Sequence, residues 1–270
     1  PLMLILEPVF DLDLAYRKYL TYSTLICGVL VSGVYLRIYK LLSFRAFGYS
    51  GTASVFLKNL LVGLLYGMLI MLIIELLLFL LGIHVIDVNR DINIQSVAIV
   101  LFKGLLVGLL IATIEESIFR GAMFTGLYKQ TNVIIAVIFT SLVYSAVHFV
   151  RYRDLPGDME IGLFTGFSMM PDMFRRFIEW SILDYFMTLF IFGVLLALLR
   201  IKHRTIAGCI GVHAGIVMLI KTSKFITNRS HDSPYDYLVS QYNATFGWMS
   251  FGIILLFAVF YLLKLRGRPL

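Results

Sequence analysis

Charged residues are scarce in this chain, and their scarcity excludes most classes of soluble protein. Only 14% of the 270 residues are Asp, Glu, Lys or Arg, whereas 60% are hydrophobic. A typical soluble domain carries about 25% charged residues. The sequence also lacks low-complexity tracts and detectable internal repeats. We therefore predict one membrane domain over residues 1–270, integral to the cell's inner (plasma) membrane.

Cysteine is almost absent as well. Cys27 and Cys209 are the only two, and both lie in apolar segments, which excludes a disulfide framework and a zinc knuckle. The net charge of +7 does not indicate nucleic-acid binding, because the basic residues stand at the ends of apolar segments, where membrane lipids are the expected partners. The sequence starts at Pro1 without a cleavable signal peptide, so we expect a trimmed or processed amino terminus.

Apolar segments of about 17–30 residues dominate what is present, and each is long enough to cross a bilayer as a helix. Seven are clear, and Pro1–Phe10 would form an eighth if the chain extends upstream. We therefore predict an all-α, polytopic transmembrane helical bundle of seven to eight spans. The seven run over Leu20–Leu36, Leu60–Leu81, Ala98–Leu127, Val133–Val150, Trp180–Leu199, Thr205–Ile220 and Phe246–Leu263.

The connections differ in charge and in composition. One alternating set holds eleven basic residues and no acidic one, which predicts that this set is cytoplasmic. The longest connection, Arg151–Glu179, mixes aromatic residues, methionines and charges, as is typical of an interfacial segment.

A few polar residues stand inside the apolar spans. Glu115 and Glu116 lie in the third span, Arg120 follows one turn later, and His148 and His213 lie in later spans. A carboxylate at this depth costs about 2.5–3.5 kcal/mol even on lenient insertion scales, so such residues normally mark function.

Helical phase assigns different roles to the two glutamates. At about 100° per residue, Gly104, Gly108, Ala112 and Glu115 share one stripe, and small residues in such a stripe let helices approach closely. We therefore expect Glu115 to face packed protein and to act as a base or ligand. Glu116 and Arg120 are spaced as an i,i+4 ion pair that would hold the helix.

The chemistry open to one glutamate and two histidines includes several reactions. A carboxylate paired with an imidazole can deprotonate water, and a second imidazole can stabilise the oxyanion formed at an amide carbonyl. The same trio could instead bind a divalent metal such as zinc. A pair of helices carrying Glu and His is also common in the proton relays of transporters.

Three motifs resemble those of a known family. Glu115-Glu116-x-x-x-Arg120, Tyr144-x-x-x-His148 and His213 resemble the EExxxR, FxxxH and HxxxN/D motifs of the CAAX-protease and bacteriocin-processing family of intramembrane proteases. The resemblance spans residues 98–220, which we take as the catalytic core.

That resemblance implies a glutamate-type endopeptidase that needs no metal cofactor. Glu115 and His148 would activate water and His213 would stabilise the oxyanion, with Glu116, Arg120 and Tyr144 in support. The implied substrates are membrane-anchored, lipidated or leader-bearing peptides.

The sequence departs from the family pattern at two positions. Tyr144 replaces Phe, and Val217 replaces the Asn or Asp of the third motif. Losing one oxyanion donor costs roughly 2.7–4 kcal/mol of transition-state stabilisation, unless the Tyr144 hydroxyl or a backbone N–H near Gly211 substitutes. Two alternatives to an active peptidase therefore stay open: a catalytically impaired immunity or regulatory protein, and a proton-coupled carrier.

Overall fold

The computed structural model describes residues 43–150, 164–168 and 174–265, with isolated positions between 23 and 38 and position 171. Seven helices make up most of the described residues, and a two-stranded antiparallel sheet pairs β1 (His84–Ile86) with β2 (Thr227–Arg229). The helices are α1 (Ala53–Leu80), α2 (Ile94–Glu116), α3 (Phe124–Gln130), α4 (Val133–Val147), α5 (Leu183–His203), α6 (Ala207–Ile226) and α7 (Trp248–Leu265).

Shorter elements connect these helices. A π-helix, Ser117–Met123, joins α2 to α3 without a break in the apolar run. The connection between α4 and α5 contains a single helical turn at Thr165–Ser168 and 3-10 turns at Arg175–Ile178 and Trp180–Ile182. A further 3-10 turn, Asp236–Leu238, precedes α7.

The predicted all-α membrane bundle is confirmed, although its predicted number of spans is not. Among the described residues, five helical stretches are long and apolar enough to cross a membrane, and α4 is a sixth, shorter apolar helix. The predicted span Leu20–Leu36 and the interfacial segment Arg151–Glu179 lie largely outside the described residues, and Pro1–Phe10 lies wholly outside them.

Polar residues next to the apolar runs determine where the helices begin. Asn93 caps α2 by accepting a hydrogen bond from the Ser96 amide at 2.9 Å, and the Ser96 hydroxyl accepts one from the Asn93 amide. The Asn132 side chain caps α4 in the same way, accepting from the Ile135 amide at 3.0 Å.

Glycines let α6 approach its neighbours closely. A Cβ atom added to Gly108 of α2 would lie 2.7 Å from the Ala214 carbonyl oxygen, so only glycine fits at this crossing. Gly63 and Gly67 of α1 meet the backbone of α6 around Gly208 and Val212 in the same manner. This packing brings residues of α2 and α6 close enough to share a polar site.

The length of α4 decides where His148 lies. Fifteen residues rise about 22 Å, which is less than the roughly 30 Å of the hydrocarbon layer. The helix ends at His148. When the amino-terminal end of α4 lies at one surface of the bilayer, its carboxyl-terminal end, and His148 with it, lies within the hydrocarbon layer.

Candidate active site

Glu116 is a fully enclosed carboxylate in the bundle. It ends α2, is fully buried, and lies next to Arg120 and His213. Its Oε1 accepts a hydrogen bond from His213 Nδ1 at 2.9 Å, and its Oε2 lies 3.4 Å from Arg120 Nε. Oε1 also lies 3.5 Å from Arg120 Nη1, so the buried carboxylate has two hydrogen bonds at Oε1 and an ion-pair contact, without a hydrogen bond, at Oε2.

Arg120 has partners on three elements and is itself fully buried. Besides pairing with Glu116, it donates from Nη2 to the Gly193 carbonyl of α5 at 3.2 Å. Its guanidinium carbon lies 4.3 Å from the centre of the Tyr144 ring of α4, a cation–π contact. Arg120 therefore links the carboxylate of α2 to α4 and α5, and the predicted Glu116–Arg120 ion pair is present.

Glu115 has a different environment from its neighbour. Its side chain is 28% exposed, and it accepts no hydrogen bond from any residue that the structure describes. Its Oε2 is nonetheless buried and lies 4.0 Å from His213 Nε2. Glu115 is thus the carboxylate with room for a further ligand such as water.

His213 lies between the two glutamates. Nδ1 faces Glu116 and Nε2 faces Glu115, while the ring packs edge-on against Phe192 at a centroid distance of 5.7 Å. Only 5% of the residue is exposed. With two carboxylates and one guanidinium around it, this ring is in a region with one excess negative charge when all three groups are ionised.

His148 is joined to this group through Tyr144. The His148 Nδ1 lies 2.8 Å from the Tyr144 carbonyl, which can only accept, so Nδ1 carries the proton and Nε2 is left as the acceptor in the neutral ring. The His148 ring contacts the Tyr144 ring at 4.8 Å, and Glu115 and His213 both lie within electrostatic range of it. His148 as a whole is half-buried.

Residues 97–219, which carry all of these side chains, match the family model described as type II CAAX prenyl endopeptidase Rce1-like. The chain carries an Rce1-like domain. The family resemblance predicted from the three motifs is thereby confirmed. Comparisons with the curated proteins and with the solved structures gave no match. The family is one of CAAX-type intramembrane proteases, and the helices of this chain are those of an integral membrane protein.

The two glutamates of the Rce1-like domain do not occupy the faces predicted from helical phase. The buried residues of α2 are Gly104, Gly108, Ala112 and Glu116, so the stripe that packs against α6 ends in Glu116 rather than in Glu115. The observed contact follows the i,i+4 row of α2 through to Glu116, whereas the predicted stripe stepped by three residues from Ala112 to Glu115.

The two substitute oxyanion donors suggested by the sequence have separate outcomes in the Rce1-like domain. Gly211 faces the backbone of α1 at Leu60 and Leu64, and a backbone donor near it stays a prediction. Tyr144 lies in the wall of the site, with its ring edge-on to His213 at 6.3 Å. Val217 is half-buried one turn beyond His213 and brings no polar atom.

Two residues that support the site were missed in the sequence. Gly193 lets Arg120 reach a backbone carbonyl, since a Cβ there would lie 3.1 Å from Arg120 Nη2. Arg200 donates from Nε to the Arg120 carbonyl at 3.2 Å, which satisfies an oxygen in the π-helix. A glycine amid the bulky residues of α5 was an available signal, whereas Arg200 looked like an ordinary basic residue near a connection.

Within the part of the chain that the structure describes, no cluster of three or more His, Cys, Asp or Glu side chains is arranged to hold a metal ion. His213 Nδ1 is hydrogen-bonded to Glu116, and Nε2 lies 4.0 Å from Glu115, beyond hydrogen-bond distance.

Proposed function

We propose that this protein is an intramembrane endopeptidase in which Glu115 and His148 activate water and His213 stabilises the oxyanion. The observation that carries the proposal is the contrast between the glutamates. Glu116 is fully buried and is bonded by Arg120 and His213, whereas Glu115 is partly exposed, accepts no hydrogen bond from the residues that the structure describes, and has its Oε2 4.0 Å from His213 Nε2.

The reaction assigns one proton transfer to each stage. A water oxygen attacks the peptide carbonyl carbon as the Glu115 carboxylate takes its proton, and the carbonyl oxygen becomes the oxyanion. The tetrahedral intermediate then breaks its C–N bond, and the proton held by Glu115 passes to the leaving amine. His148 supports the first step by accepting a hydrogen bond from the water at Nε2, the nitrogen that the Tyr144 carbonyl leaves available.

His213 is the group proposed to meet the developing negative charge. Two ionised carboxylates against one guanidinium leave the site one positive charge short, and an imidazolium at His213 would supply it. A cation within a low-dielectric site stabilises an oxyanion far more than it would in water. This mechanism needs no bound metal.

Substrates anchored in the bilayer fit this location best. The site lies inside a helical bundle, at the carboxyl-terminal end of α4, within the thickness of the bilayer. A peptide held at the membrane by a lipid or an apolar segment would be presented to the site at this depth. We propose lipidated or membrane-anchored peptides, cut near the carboxyl terminus, as the principal substrates, with small leader-bearing peptides as a second class.

The test is turnover by Glu115→Gln in the purified protein, with Glu75→Gln as the matched control. Glu75 is another carboxylate on a long apolar helix, and it bonds His84 rather than the site. Removal of a general base lowers turnover about 10²–10⁴-fold, and we expect Glu75→Gln to retain it. Prenylated peptides ending in a CAAX sequence and leader-bearing peptides would be compared with non-lipidated versions.

Two results would contradict the proposal. Unchanged turnover in Glu115→Gln would remove Glu115 as the base, and loss of turnover on chelation, restored by zinc, would replace the metal-free mechanism. If the wild-type chain cleaves neither peptide class while binding them, the impaired regulatory role motivated by Val217 would stand instead.

A further inference from the structure

A second cavity lies at the end of the bundle where α3 meets the carboxyl-terminal end of α5. It encloses about 490 Å³ between these helices and the segment that precedes α1. Arg45, Arg200 and Arg204 line it together with the hydroxyl-bearing Ser50, Thr125 and Tyr128. None of the proposed catalytic side chains lines it, so this cavity is separate from the candidate active site.

The charge of this cavity has one sign. Its described lining contains three arginines and no acidic residue. Nor does any carboxylate in the described part of the chain form an ion pair with these three arginines. Three arginines that line one cavity without a counter-charge favour an anion there.

The walls of the cavity are held in place by the fold. Arg200 is fixed by its Nε bond to the Arg120 carbonyl, and Gly48 packs against its guanidinium, since a Cβ on Gly48 would lie 3.0 Å from Nε. The Ser50 hydroxyl donates to the Arg204 carbonyl at 2.6 Å. Arg204 itself adopts a left-handed backbone with φ of 54° and ends α5 beside the cavity.

The Thr125 hydroxyl completes this framework by donating to the Ala46 carbonyl at 2.9 Å. Both short hydroxyls are thus engaged in holding the wall, so the arginine N–H groups are the donors left for a ligand. Tyr128 is 47% exposed at the rim and stacks on Phe124 with the ring centres 6.2 Å apart. Exposed aromatic residues of this kind are typical of the level of lipid headgroups.

We propose that this arginine cavity binds a phosphate group, and that its source is the headgroup of an anionic phospholipid. Arginine forks match phosphate oxygens in pairs, which a surface of separate lysines does not achieve. The cavity has the volume of a small-molecule site and can hold a headgroup larger than phosphate alone. Its place at the end of the long apolar helices leaves the acyl chains of a bound lipid on the apolar surface.

The experiment measures lipid retention by the purified full chain in mixed micelles of phosphatidylglycerol and phosphatidylcholine, using native mass spectrometry. The test variant is R45K/R204K, which keeps both charges but removes the guanidinium forks. The matched control is K58R, a swap of the same kind at an exposed residue on α1 at the same end of the bundle, outside the cavity.

We expect wild type and K58R to retain phosphatidylglycerol in preference to phosphatidylcholine, and R45K/R204K to bind it at least about tenfold more weakly. Competition with excess inorganic phosphate or glycerol phosphate distinguishes a lipid headgroup from a soluble phosphate compound as the ligand. Lipid that stays bound identifies the headgroup as the ligand, whereas displacement identifies a soluble phosphate compound at the same site.

Retention of phosphatidylglycerol by R45K/R204K at the wild-type level would overturn the proposal, because a general surface charge would then explain the binding. Equal retention of the two lipids by wild type, with no binding of inorganic phosphate, would overturn it as well. The single variant R45K, which changes an exposed side chain, repeats the test if the double variant does not fold.

Discussion

Replacing Arg120 by Met tests the account of how the buried carboxylate is held. The change removes the 3.4 Å contact with Glu116 and the hydrogen bond to the Gly193 carbonyl, while keeping an unbranched apolar side chain in the space. Glu116, with no exposed surface, would then depend on His213 alone.

The magnitude follows from burial. Removing one partner of a buried ion pair destabilises a protein by about 3–5 kcal/mol, because the remaining charge has neither water nor a counter-ion. Whole domains are stable by about 5–15 kcal/mol, so Arg120→Met should cost a large share of the total. The double variant Arg120→Met/Glu116→Gln removes the stranded charge together with its partner and should recover more than half of that loss.

The assay is equilibrium unfolding of the four proteins in detergent, arranged as a double-mutant cycle. The reasoning would be refuted by an Arg120→Met variant within about 1 kcal/mol of wild type, or by a double variant no more stable than the single one. Glu116→Gln alone provides the fourth corner of the cycle and leaves a neutral acceptor for His213.

Two further predictions concern catalysis and pH. Val217→Asn restores the hydrogen-bond donor of the third family motif, so kcat in a peptide-cleavage assay should rise by up to about 10²-fold. An unchanged kcat would show that another group, such as Tyr144, already donates to the oxyanion. Burial disfavours a charge on His84, but the 2.8 Å bond to Glu75, the charge of Glu75 and the bond to the Ala244 carbonyl together outweigh this and raise the His84 pKa from its usual 6.5. The stabilisation from this pair is complete below pH 6.5 and declines as pH rises through the higher folded value. His84→Gln should therefore destabilise more at about pH 5.5 than at about pH 8.5, and equal losses in thermal unfolding would contradict the pairing.

The sequence predicted the long helices well because apolar runs of this length are typical of membrane-spanning helices and not of soluble proteins. The predicted spans Val133–Val150 and Trp180–Leu199 correspond to α4 and to Trp180–His203, with differences only at the ends. The stripe of small residues on α2 also predicted a close helix contact correctly. Its last member was misassigned because both Glu115 and Glu116 lie within one turn of Ala112, and the position of the neighbouring helix, which no local pattern specifies, decides which of the two is buried.

His84 shows a second limit of sequence interpretation. At the end of an apolar span it looks like a surface histidine, yet it is only 3% exposed. Its partners Glu75, Thr227 and Ala244 come from three separate stretches of the chain, brought together by the pairing of β1 with β2. Three-residue strands have too little pattern to be recognised, so this network could not be inferred before the fold was known.

The π-helix at Ser117–Met123 makes the number of residues in this stretch as important as their identities. A π-turn contains more residues than an α-turn, and such segments commonly mark an inserted residue. Deleting one residue between Gly121 and Met123 would preserve the Glu116–Arg120 spacing and let the segment close as an ordinary α-turn, so that the helices on either side keep their faces. The π-turn thus absorbs a difference in chain length between the glutamates and the arginine cavity to which Thr125 and Tyr128 contribute.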